Sequence, residues 1–195
     1  SYIFIVCFVV LNIIIWKGII SNNKNMRMVF IDVGQGDAAL LQLPEGKNIL
    51  IDAGPKIEGY DAGEKILYPF LKREGVKKID YCFISHFHDD HYGGLPYLIK
   101  MKMIDTIYYS DSTGFGILYN YIDSLSSENG AVIKKADFNE KRISDLMIYK
   151  LNSFDVNHVN NAKLTKNSRE NNTSLILKIY YHDISMLFLG DAEAE

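Results

Sequence analysis

Six residues, His86-Phe87-His88-Asp89-Asp90-His91, constrain this chain more than any other stretch. They hold three of its five histidines. Imidazoles this close repel one another when protonated, whereas neutral imidazole and carboxylate are natural ligands of divalent metals. The preceding run Ile79-Asp80-Tyr81-Cys82-Phe83-Ile84 reads as a buried strand. Gly93-Gly94-Leu95-Pro96 reads as a turn entering a helix. The cluster is thus placed at the carboxyl end of a strand, where α/β folds commonly build sites. In an extended segment His86 and His88 point to one side, and as the chain turns Asp90 and His91 face a second position. The pattern predicts two metal positions, each with an open coordination place. Structural zinc sites usually use Cys, and none stands in this loop. A polar surface loop is the other reading, and it leaves the concentration of histidine unexplained. Metal ligands must be deprotonated, so occupancy is expected to fall below about pH 6.

At 195 residues the chain can bury one real core. A net charge of -3 offers no bulk attraction to polyanions, so any nucleic-acid contact must come from a local patch or from metals. The two cysteines, Cys7 and Cys82, form no CxxC pattern and leave the redox compartment open.

From Tyr2 to Trp16 only Asn12 is polar, and Gly18-Ile19-Ile20 extends the apolar run beyond Lys17. The length suits a membrane span over 1–20, with Lys17 snorkelling and Trp16 near an interface. A signal peptide would carry a positive n-region, which is not visible, and a buried core helix is the remaining alternative. Residues 21–27 read as a polar linker. Strands are expected over 28–33, 38–43, 48–52, 79–84, 104–109, 131–135, 146–151, 174–180 and 184–189. Asp61-Ala62-Gly63-Glu64 has capping-box spacing for a helix through Arg73, with Gly75 at its C′ position. Further helices are expected near 94–101 and 115–126, and 152–173 reads as a long loop. Strands with interspersed helices, opening on a meander, indicate an α/β fold with a mixed sheet, and pattern alone does not choose the layering.

His86-x-His88-x-Asp90-His91 resembles the signature of the metallo-β-lactamase superfamily. Ile49-Leu50-Ile51-Asp52-Ala53-Gly54 is similar to its first motif, and Phe188-Leu189-Gly190-Asp191 to the motif with the metal-bridging aspartate. Asp32-Val33-Gly34-Gln35-Gly36-Asp37, Asn172-Thr173-Ser174-Leu175 and Gly190-Asp191-Ala192-Glu193 further resemble the hydrolase-like domain of ComEC-type competence proteins. The resemblance covers 28–195 and implies an αββα sandwich, incomplete at its C-terminus, behind a multi-span membrane channel. It places the hydrolase domain outside the cytoplasm, although Lys17, Lys24 and Arg27 oppose that under the positive-inside rule.

By the same resemblance His86 and His88 would bind a first ion, Asp90 and His91 a second, and Asp191 would bridge them. The ions would be zinc or manganese. Asp52 would steady a ligand from behind; the plainer roles are a turn residue for Asp52 and a helix N-cap for Asp191. Asp90 and Asp191 are the catalytic candidates. Asp37, Asn172, Lys166 and Arg169 are the candidates for substrate contact, with Lys163 beside them; a solvated loop is the plainer account of these cations. Tyr108, Tyr109 and Tyr119 could stack bases, although packing accounts for each. Two departures stand out. Glu170-Asn171-Asn172 occupies the place of a frequent third-motif histidine, which ComEC-type proteins commonly lack; His158, upstream, is the lesser candidate for that ligand. The family's fifth-motif histidine follows the bridging aspartate, and this sequence ends at Glu195, so His182 reads as a turn residue.

The chemistry implied is metal-assisted hydrolysis, in which two ions lower the pKa of a water and stabilise charge on transition-state oxygens. A phosphodiester suits such a pair, and the ComEC resemblance implies DNA as substrate, with the membrane and other competence proteins as partners. A small-molecule hydrolase of esters, lactones or cyclic phosphates is one alternative. A noncatalytic DNA-guiding domain is the other.

Overall fold

The computed structural model describes residues 2–20, 25–110, 116–151, 171 and 173–192, with the side chains of the first helix described only through Ile13. That helix, α1, runs Tyr2–Ile20. Among the described residues no helix is long and apolar enough to cross a membrane. The large apolar side chains from Tyr2 to Ile13 in α1 are nevertheless 48–88% exposed. Asn12, the one polar residue among them, turns its amide back to the Phe8 carbonyl at 2.8 Å.

Two sheets form the body. The first contains β1 (Arg27–Phe30), β2 (Ala39–Gln42), β3 (Asn48–Ile51), β6 (Ile79–Ile84), β7 (Ile104–Tyr109) and β8 (Val132–Lys135), hydrogen-bonded in that order. Its first three strands are an antiparallel meander. From β3 onward the pairing is parallel. The second sheet is antiparallel, in the order β12 (Ile184–Phe188), β11 (Ile176–Tyr181), β10 (Leu146–Leu151), β9 (Glu140–Ile143). A two-stranded ribbon, β4 (Lys56–Ile57) with β5 (Tyr60–Asp61), stands apart.

The period-2 alternation of the strands divides the core in two. Register aligns Leu40, Leu50, Cys82, Ile107 and Ile133 in one row across the first sheet. That face packs on the helices through Leu67, Leu71, Leu95, Leu98 and Ile122. The neighbouring row, Ala39, Ile51, Phe83 and Tyr108, points the other way and meets Leu146, Ile148, Leu177 and Ile179 of the second sheet. The described residues thus supply helix, sheet and sheet as successive layers. The helices are α2 (Tyr68–Arg73), α3 (Asp89–Tyr92), α4 (Leu95–Lys100) and α5 (Gly116–Asn129).

Several expectations are corrected in detail. The first strand stops at Phe30, because Asp32 turns the chain by accepting a bond from the Gly34 N–H at 3.1 Å. Asp61 does cap the helix after it, through the Glu64 N–H at 3.2 Å. The first turn, however, is π-helical over Gly63–Leu67 before α2 takes over. A Cβ on Gly63 would lie 2.1 Å from the Gly94 carbonyl oxygen, so glycine there lets two helix starts touch. The β4–β5 ribbon, β9 and α3 carry too few residues to show a period, and sequence pattern missed them. Of the long loop expected over 152–173, only Asn171 and Thr173 lie within the described residues.

Leu50 is fully buried at the centre of the helix-facing row. Leu50→Ala should lower unfolding free energy by about 2–5 kcal/mol, the range for buried Leu truncations. Denaturant titration measures it, and a loss below about 1 kcal/mol would contradict this account of the core.

Candidate metal centre

The parallel neighbours β3 and β6 end side by side, with Ile51 level with Phe83. Their next residues, Asp52 and Ser85-His86, therefore emerge together. The chain leaves β3 through Asp52 in a left-handed conformation, φ 56°, which non-glycine residues rarely adopt. That turn folds the carboxylate back under β6. The Ser85 N–H donates to its Oδ1 at 2.8 Å and the Ser85 hydroxyl to its Oδ2 at 2.9 Å. His91, delivered by α3, places Nδ1 2.9 Å from the same Oδ2.

The α3 turn is seated by the glycine-rich loop after β1. Asp37 N–H reaches the Asp90 carbonyl at 3.3 Å, and the Ala53 N–H reaches that of His91 at 2.6 Å. Gly36 has φ 133°, and a Cβ there would lie 2.1 Å from the Asp90 carbonyl oxygen. Close backbone approach thus explains a glycine at this point of the Asp32–Asp37 motif. The second sheet closes the site from the far side. Leu175 N–H bonds the Ser85 carbonyl at 2.7 Å. Gly190, at φ 55°, presses so closely on Ser85 and Ser174 that a Cβ would come within 2.8 Å of Ser85 Cβ. Asp191 follows and overhangs the histidines.

Around this point the donor atoms converge. His86 Nε2 lies 2.9 Å from His88 Nδ1. Asp191 reaches His91 Nε2 with Oδ1 at 3.1 Å and His86 Nε2 with Oδ2 at 3.9 Å. Asp90 Oδ2 is 3.9 Å from His91 Nε2. Two groups offer one ligand atom per residue within 4.8 Å of one another: His86 with His88 and Asp191, and Asp90 with His91 and Asp191. Asp37 forms a third with Asp52 and His91. The mixed imidazole and carboxylate set, with buried His86 and His91 and half-exposed aspartates, fits divalent ions open to solvent on one side. Two openings flank it. A cleft of about 190 Å³ touches Asp37, Asp52, Ser85 and Gly190. A larger one of about 440 Å³ is lined by Gln35, Pro55, Tyr60, Asp89 and Asp90.

Lys163, Lys166, Arg169, Asn172 and His158 lie outside the described residues. His182 sits exposed in the β11–β12 turn, at the opposite end of β12 from Asp191. Tyr108 and Tyr109 are buried; Tyr108 stacks on Phe83 at 5.2 Å, and Tyr109 packs on Tyr119 at 5.3 Å. They belong to the packing rather than to a base-stacking surface. Sequence reasoning missed Ser85 and assigned no role to Ser174. No sequence pattern marks Ser85; its role follows from the burial of Asp52, whose carboxylate demands donors.

The two buried histidines are pushed in opposite directions. Burial drives His86 down to about 3, helped by the charges of His91 and His88. Burial acts to lower His91 too, but its hydrogen bond to Asp52 and the charges of Asp52, Asp191 and Asp90 prevail and raise it to about 9. The carboxylates around His91 thus favour its protonated form in the metal-free domain, and an ion bound at that ring would compete with the proton, which would move the onset of pH-dependent binding upward from the expected value near 6.

The same shifts fix a stability profile for the EDTA-treated protein. His91, raised above its unfolded value of about 6.5, contributes stability that is complete below that pH and lost as pH rises toward 9. His86, lowered, costs stability as pH falls below about 6.5, where the unfolded chain takes up a proton and the folded one does not. Thermal midpoints measured across this range should therefore peak near pH 6.5, and His91→Gln should flatten the alkaline limb. A midpoint that climbs steadily from pH 6.5 to 9 would contradict the charge assignment.

Comparison with known proteins agrees with this geometry. The family model described as Metallo-beta-lactamase superfamily matches residues 31–195. ComE operon protein 3 of Bacillus subtilis is 27% identical over 177 residues, covering 85% of this chain and 22% of that protein. Ribonuclease J of Mycoplasma genitalium is 30% identical over 113 residues, covering 56% of this chain and 19% of that protein. The chain thus spans less than a quarter of either relative. Among solved structures, Zn(2+)-bound PqqB from Methylobacterium extorquens superposes with a TM-score of 0.50 at 13% identity, over 78% of this chain and 52% of that one, a likeness of fold. With the His86–His91 motif at the end of β6 and a family match over most of its length, the chain belongs to the metallo-beta-lactamase superfamily.

Proposed function

We propose that this chain is a metal-dependent hydrolase domain that cleaves phosphodiester bonds in nucleic acid, held at a membrane by α1 and serving DNA uptake. The observation that carries the reading is the convergence of His86, His88, His91, Asp90 and Asp191 on one solvent-open point. His86, His88 and Asp191 would hold one divalent ion, and Asp90, His91 and Asp191 a second, with Asp52 behind His91. Bound there, zinc or manganese would supply an activated water near neutral pH and positive charge for phosphoryl oxygens.

The protein's own groups do the rest. Asp52 and the Asp32–Asp37 loop hold the His91 turn in place, so that donors need not reorganise. Asp37, exposed beside His91, carries negative charge that would repel a phosphodiester unless a cation intervenes. Substrate contact through Asn172, Lys166 and Arg169 belongs to the same proposal. The opening beside Gln35, Tyr60 and Asp90 gives a nucleotide room next to the reacting point. Nucleic acid is favoured because relatives with similar sequences include one named a ribonuclease, alongside ComE operon protein 3. The exposed apolar side chains of α1 favour a lipid environment. We assign 1–20 to the membrane, 21–27 to a linker and 28–195 to the hydrolase unit, placed outside the cytoplasm.

The full chain, stripped with EDTA and resupplied with Mn²⁺ or Zn²⁺, should cut single-stranded DNA, and Asp191→Asn should slow cutting by about 100-fold or more. Binding of DNA without turnover would replace this reading with a guiding domain. Turnover of small esters or lactones with no action on DNA would replace it with a small-molecule hydrolase.

A further inference from the structure

Ser85 stands at the centre of the support beneath the histidines. Its Oγ lies 2.9 Å from Asp52 Oδ2, 3.0 Å from His86 Nδ1 and 3.3 Å from His91 Nδ1, and it is 3% exposed. A hydroxyl has one proton to give and lone pairs to offer. The buried Asp52 carboxylate is the strongest acceptor within reach, so the Ser85 proton goes there. What Ser85 then presents to His86 is a lone pair, and a contact of 3.0 Å between two acceptors would be repulsive. His86 must therefore carry its proton on Nδ1. Ser174 Oγ, 3.5 Å from the same nitrogen, completes a second hydroxyl beside it.

We propose that Ser85 is a positioning residue that extends the reach of Asp52 to His86, so that one buried carboxylate orients both histidines, directly for His91 and through a hydroxyl for His86. His86 then leaves the lone pair of Nε2 facing His88 and Asp191, the form in which imidazole binds a cation. Gly190 belongs to the same arrangement: its missing side chain lets the Asp191 segment close down on Ser85 and Ser174. The inference rests on the metal-centre reading of the donor cluster.

Ring-nitrogen NMR of the ¹⁵N-labelled, EDTA-treated full chain tests it, with His86→Gln identifying the His86 signals. Wild type should show a neutral His86 ring protonated at Nδ1, and Ser85→Ala should show a mixture of tautomers or the Nε2-protonated form. Zn²⁺ affinity, measured by competition with a chelator, should weaken about 10- to 100-fold in Ser85→Ala at unchanged stoichiometry, the scale typical of groups behind metal ligands. Ser174→Ala, removing the longer contact, should change it about threefold or less. A wild-type His86 ring protonated at Nε2 overturns the proposal, whether or not Ser85→Ala folds. So do a tautomer and a Zn²⁺ affinity that Ser85→Ala leaves unchanged. Failure of wild type to bind Zn²⁺ removes the metal-centre reading instead, while the spectra, recorded without metal, still decide how Ser85 orients His86.

Discussion

The carboxylate of Asp52, 2% exposed, is the interaction on which the rest of the centre depends. An isolated ionised carboxylate cannot be buried at tolerable cost, and both of its oxygens must find donors. Three donors from two segments supply them: Ser85 N–H, Ser85 hydroxyl and His91 Nδ1. The segments come from adjacent strand ends and from the α3 turn, so satisfying one charge fixes the relative position of three pieces of chain. Removing one partner of such a buried pair typically costs about 3–5 kcal/mol. The left-handed backbone at Asp52 is the local strain that this bonding holds in place.

Close backbone contact is the second constraint. Gly36 against Asp90, Gly63 against Gly94, Gly93 against Lys56 and Gly190 against Ser85 each bring main chain nearer than a Cβ permits. Gly36 and Gly190 touch the donor segments directly, at Asp90 and Ser85, while Gly63, Gly93 and Gly94 pack the starts of the helices against neighbouring chain. They let a loop, two helix starts and the end of β12 converge on one point, which larger side chains would hold apart. The apolar rows of the two cores supply the rigid background: the inner strands β2, β3, β6 and β7 of the first sheet are buried on both faces, so their ends cannot drift in register without turning side chains to the wrong core.

Between them these constraints divide labour around the site. His86 and His91 are buried and oriented from behind, while Asp90 and Asp191 keep about two-fifths of their side-chain surface in solvent. The rigid nitrogen donors face the open carboxylates, and the larger opening is lined in part by Asp90. Such an arrangement preorganises ligands without closing the approach of a substrate.

Much was legible in sequence because it is local. The strands over 79–84, 104–109 and 146–151 follow from segments rich in apolar and aromatic residues and match the structure residue for residue. The density of the His86–His91 segment announced a ligand set, and the capping signal at Asp61 announced a helix start. Short elements such as β9 and α3 were not legible, since four residues carry no measurable period. Nor was the π-helical turn at Gly63–Leu67, whose first residue packs against Gly94 of a distant segment. The sequence by itself determined where imidazole and carboxylate donors concentrate and which strands are buried, because composition and periodicity act along the chain. Asp191 between the histidines and Asp52 behind a ligand were expected only by resemblance; the tertiary structure decided the distances at which Asp191 faces His86 and His91, that the ring Asp52 bonds is His91, and that Ser85 joins Asp52 to His86. Those relations link residues from 33 to more than 100 positions apart, and chain folding alone brings them within 4 Å.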